Sequence, residues 1–82
     1  MKYNQGSGTS WRIGVGGMRN GNTDSCLADP SIAESIQTAD LPSSVLSVVF
    51  TTEATETDAL RVAECLQAAL PDNEVTISRP AQ

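Results

Sequence analysis

Few side chains of this 82-residue sequence are equipped for chemistry, and histidine is absent altogether. A serine or cysteine nucleophile needs a base within hydrogen-bond reach, and the commonest base is the missing one. Lys2, the only lysine, sits in a polar head, and neither a G-x-S-x-G elbow nor an S-x-x-K motif occurs. Glu53, Glu56 and Asp58 gather where a helix is expected to begin, and there the positive end of the helix dipole and solvation account for carboxylates. Gly14-Val15-Gly16-Gly17 resembles the opening of a dinucleotide loop, but Arg19 stands near the place of the third glycine and Asn20-Gly21-Asn22 opens a turn where a helix should start. Asn20 to Asp24 alternates oxygen-bearing side chains as a calcium loop does. Ser25 and Ser31, however, replace the required glycine and the closing glutamate, so a solvated loop is the better reading. The expectation is a non-enzyme, with no catalytic residue, no cofactor and no metal.

Cys26 and Cys65 are the only cysteines, without the C-x-x-C spacing of a redox or zinc motif. They are either two separate buried thiols or one disulfide. An even count in a short, core-poor domain points to the bridge, which loop-closure entropy values at about 4 kcal/mol. Trp11 is the one residue of the type that dominates binding hot spots, and it also suits the core edge of a first strand.

The elements that would carry these residues follow from composition and period. At 8.6 kDa the chain holds one small core, mostly aliphatic because it has one Trp, one Tyr and one Phe. Residues 1–10 read as a flexible head or linker, rich in Gly and Ser and without the apolar stretch of a signal peptide, and 11–80 as a single α/β domain. Trp11, Ile13 and Val15 alternate as on a strand, read as a glycine-weakened edge. Asp29-Pro30 followed by Ile32, Ala33 and Ile36 predicts a short helix ending before Leu41-Pro42. Val45 to Phe50 is a central strand, with Leu46, Val48 and Phe50 turned to the core and Val45 and Val49 to the other face. Thr55 caps a helix to Leu70 with Asp58 completing a shortened capping box, and Ala59, Val62, Ala63, Leu66, Ala69 and Leu70 form its apolar stripe. Val75 and Ile77 mark a last strand. The predicted fold is therefore an α/β (α+β) two-layer sandwich: a three-stranded sheet with two helices on one face, in the order β-α-β-α-β, its strands parallel.

Asp29-Pro30-Ser31-Ile32-Ala33-Glu34-Ser35-Ile36, followed by Leu41-Pro42-Ser43-Ser44, resembles part of the extracellular domain of the cell-division permease family (FtsX-type). There a short helix leads through a Leu-Pro-x-Ser element into a strand, an amphipathic helix and a final Val-rich strand. The resemblance implies an extracytoplasmic, non-catalytic module that contacts a cell-wall hydrolase or its adaptor. The chain departs from the family in what precedes this region, where Trp11 to Gly17 and a polar loop stand instead of a strand and a helix.

A formal charge of −5 repels phosphate, and Lys2, Arg12, Arg19, Arg61 and Arg79 are scattered, so no nucleic-acid partner is expected. No apolar run approaches the ~20 residues of a membrane helix, so no span is expected either. What remains is a protein-interaction or regulatory module, extracytoplasmic or secreted, whose free sheet face meets a protein partner or a homo-oligomeric copy. Trp11, Val45, Val49, Glu53, Glu56 and Asp58 are its candidate contact residues. The alternative is an acidic decoy or inhibitor that occupies a basic surface through Glu53, Glu56, Asp58, Asp72 and Glu74.

Overall fold

A computed structural model describes residues 1–6, 8–18, 23–38 and 44–81. Its elements are β1 (Lys2–Gln5), β2 (Arg12–Met18), α1 (Asp24–Leu27), β3 (Ile32–Thr38), β4 (Ser44–Phe50), α2 (Glu56–Ala69) and β5 (Val75–Arg79). They build one five-stranded sheet in the order β1-β5-β2-β4-β3, parallel only between β1 and β5. From β2 onward the chain runs β-α-β-β-α-β, two split βαβ units interleaved in one antiparallel sheet.

Three features of the expected fold are corrected. The sheet has five strands, not three; β1 and β3 are the additions; and the mixed pairing replaces the parallel β-α-β-α-β order. The segment read as a helix, 30–39, contains β3 instead. Ile32 and Ile36 recur four residues apart, which fits a helix, but Ile32, Glu34, Ile36 and Thr38 also alternate at period two. Asp29 does not cap a helix there. Its Oδ1 accepts from the Ser31 backbone N–H at 3.0 Å and from Ser31 Oγ–H at 2.6 Å, closing a turn that delivers the chain to the free edge of β4. A strand there satisfies β4's outward backbone groups, which a helix could not do.

Lys2–Gln5, expected within a flexible head, pairs residue by residue with Thr76–Arg79. Beyond it the Gly6 N–H donates to Arg79 O at 2.8 Å, and the Arg79 guanidinium lies 5.0 Å from the Tyr3 ring centre. Gly6 is required by this close approach, because a Cβ would collide with the Arg79 carbonyl oxygen. The strand read as a glycine-weakened edge, β2, lies at the centre of the sheet between β5 and β4.

The core lies on one side. Ile13 and Val15 of β2, Leu46, Val48 and Phe50 of β4, and Val75 and Ile77 of β5 pack under Ala59, Val62, Ala63, Leu66 and Leu70, all buried. The α2 stripe follows the expected wheel except Ala69, which is exposed. Its capping box is complete: Thr55 Oγ1 accepts from the Asp58 N–H, and the Asp58 carboxylate accepts from the Thr55 N–H at 3.0 Å. Such a cap stabilises by about 1 kcal/mol.

Cys26 and Cys65 form a disulfide that joins α1 to α2, with Cα atoms 5.7 Å apart. One turn of α2 away, Arg61 repeats the link. Its Nε and Nη2 donate to Asp29 Oδ2 and Oδ1 at 2.7 and 3.0 Å, and Nη2 also reaches Asp58 Oδ1 at 3.0 Å. The connection from α1 to β3 is thus clasped to α2 covalently at Cys65 and ionically at Arg61.

That ion pair carries a pH signature. Hydrogen bonds from Arg61, then from the Ser31 side chain and backbone, hold the Asp29 carboxyl far below its ordinary value of 3.8, and Arg61 is raised in turn by Asp29 and Asp58. A carboxyl with a lowered folded pKa stabilises above its unfolded pKa, and that contribution is lost as pH falls below about 4. Asp29→Asn should therefore be less stable than the parent chain at neutral pH, and the gap in urea midpoint should narrow as pH falls from about 5 towards 2. A gap constant over that range would remove Asp29 as the titrating group.

Candidate functional site

The helices cover one side of the sheet, and among the described residues nothing covers the opposite side. Strand register places Glu34, Val49, Arg12 and Ser78 in one row across it, and Ile36, Ser47, Gly14 and Thr76 in the next. Thr38 and Val45 follow at one end. The middle is a shallow trough of small residues: a Cβ placed on Gly14 or on Gly16 would meet no atom within 4 Å. Its β4 side is apolar, with Ile36 51% and Val45 44% exposed and Val49 half-buried. A face that combines a small-residue trough with an apolar margin can receive a flat or helical surface from another macromolecule.

Four of the six expected contact residues divide between two places. Val45 and Val49 lie on this bare face, as their alternation with Leu46 and Val48 requires. Trp11 and Glu56 lie elsewhere, lining an open cleft of about 460 Å³ with Gln5, Arg79 and Pro80. Trp11 is half-buried and also packs against the core just before β2. Asp58 is committed to the helix cap and to Arg61, and its carboxyl is held below the usual range, chiefly by the Thr55 backbone N–H. Glu53 is exposed in the connection before α2.

Sequence reasoning missed Arg79 and Gln5 of the cleft, because only the unforeseen pairing of β1 with β5 assembles it. It also missed Ile36 and Glu34 on the bare face, which the predicted helix would have turned elsewhere. The period-two alternation from Ile32 to Thr38 was the available signal. The loop weighed as a calcium site, Asn20 to Asp24, falls mostly outside the described residues. Among the described residues no three His, Cys, Asp or Glu side chains converge as a metal site would need, and no helix is long and apolar enough to cross a membrane. Comparison of the chain with protein-family models, with curated proteins and with solved structures gave no match.

Proposed function

We propose that this chain is a non-catalytic protein-interaction module that works outside the cytoplasm and receives its partner on the bare sheet face. The observation that carries this is the one-sidedness of the core: β2, β4 and β5 are fully packed beneath α2, while their opposite face, with Val45, Val49 and Ile36, is covered by nothing among the described residues. The Cys26–Cys65 bridge supports the extracytoplasmic part, since disulfides persist in oxidising compartments. The resemblance to the cell-division permease's extracellular domain supports the same compartment and suggests a regulatory partner there. The acidic decoy reading gains less. The charges it counts together lie at opposite ends of α2, whose 14 residues span about 21 Å, and Glu74 is engaged by Lys2 at 3.5 Å.

Photo-crosslinking tests the reading. A benzophenone side chain placed at Val45 or Val49 in cells that make the protein should yield a discrete adduct with a second protein. The same group at Glu64, exposed on α2 away from the sheet, should not. No adduct from the sheet positions, or equal adducts from all three, would refute a partner on this face.

A further inference from the structure

The two edges of the sheet are finished differently. β1 is four residues long and its continuation is tied off: Gly6 N–H donates to Arg79 O at 2.8 Å, Gln5 Nε2 to Pro80 O at 3.1 Å, and Ala81 N–H to Gly8 O at 2.7 Å. β3 is seven residues long and exposed at every position from Ala33 to Thr38. It carries no proline, lysine or arginine, the residues by which natural sheets blunt an edge. It has one protective irregularity, a register shift between Ile32 and Glu34. Beyond that shift, Glu34–Thr38 runs in unbroken register with Val49–Val45, leaving a regular edge whose midpoint is Ile36.

We propose that β3 pairs antiparallel with β3 of a second copy of this chain, about a two-fold axis through Ile36, so that two five-stranded sheets become one. The second copy is the occupant because the regular edge is complementary to itself. Pairing its whole length sets Glu34 against Thr38 of the second copy, Ser35 against Gln37, and Ile36 against its own counterpart. Glu34 is the only charged residue of the strand, so no like charges meet. The same register brings together the two Ile36 side chains, each 51% exposed in the single chain, and extends the apolar margin begun by Val45 and Val49 across the axis. Any other antiparallel register shortens the regular ladder or runs it into the irregularity at Ala33. A two-fold contact of this kind closes on itself and stops at the dimer. Five residue pairs form a small interface, below the ~1,200 Å² of a stable complex, so the association is weak.

This inference concerns the sheet edge and stands apart from the partner reading above, which is decided by adducts with a foreign protein. Sedimentation of the purified, disulfide-intact chain decides this one. The average mass should be that of an 8.6 kDa monomer at about 10 µM and rise towards twice that value by about 1 mM. Ile36→Lys, at an exposed position that leaves the core untouched, should weaken the association at least tenfold while the circular dichroism spectrum stays unchanged. Amide exchange should slow with concentration at alternate residues of 34–38 and nowhere in β1. A mass of one chain at every concentration overturns the proposal. A dimer that is indifferent to Ile36→Lys and adds no protection to β3 overturns it equally.

Discussion

Reduction of the Cys26–Cys65 bridge should lower the unfolding free energy by about 4 kcal/mol and the melting temperature by roughly 15–30 °C. The bridge closes 39 residues of sequence, which in the chain-entropy description removes that much freedom from the unfolded ensemble. The loss weighs heavily here because a chain of 82 residues has only about 4–12 kcal/mol of stability in total. Local structure makes the dependence sharper. α1 has four residues and no side-chain cap, far short of what a helix needs to persist unaided. Two backbone bonds to Thr23 O, both 3.0 Å, and burial of Cys26 add to the support that the bridge gives it. Paired urea titrations with and without reductant, and of Cys26→Ser/Cys65→Ser, measure the effect. The reduced chain should also exchange the amides of 24–31 first, with the Arg61–Asp29 pair still linking that segment to α2. A change below about 1 kcal/mol would mean that the reduced unfolded state is already restricted near α1 and α2.

The bridge, β4 and α2 could be read from the sequence because each rests on a local rule. Val45 to Phe50 is β-branched and bounded by turn residues, while Thr55 and Asp58 announce α2 three residues apart and Pro71 ends it. The two edge strands could not be read in this way. Lys2–Gln5 has no apolar period of its own and becomes a strand only because β5 offers it an edge and Tyr3 can lie beside Arg79. Ile32–Thr38 satisfies helical and extended periods alike, and the choice is made by the hydrogen-bonding needs of β4, twelve residues further along. With those two strands missing, the remaining three appeared to need parallel crossovers, and β2 appeared to be an edge. The cleft and the bare face inherit the same blind spot. Trp11, Glu56, Val45 and Val49 were legible as single residues, whereas their companions Arg79, Gln5, Ile36 and Glu34 depend on pairings between distant segments.

The second large effect is expected within β4, where neighbouring residues face opposite sides of the sheet. Phe50→Ala should cost about 3–5 kcal/mol, since Phe50 is the largest fully buried side chain and 1% exposed. It lies at the end of β4 where Ile32 pairs with it across the sheet and where its N–H donates to Trp11 O at 3.0 Å, so truncation opens a cavity that the fixed backbone cannot collapse. Val45→Ala, five residues earlier and 44% exposed on the bare face, should change stability by less than about 0.5 kcal/mol. Urea unfolding of the two variants against the parent chain therefore reads the asymmetry of the sheet directly. Should Phe50→Ala fail to fold, Phe50→Leu keeps the comparison measurable at a smaller cost, because it retains most of the buried volume. The contrast also bears on function. If Val45→Ala proves as destabilising as the Phe50 change in the dilute monomer, the face is part of the folding core and cannot be held open for a partner. If it is silent in the dilute chain but the same substitution removes the crosslink at Val49, the aliphatic side chain there serves contact and not folding.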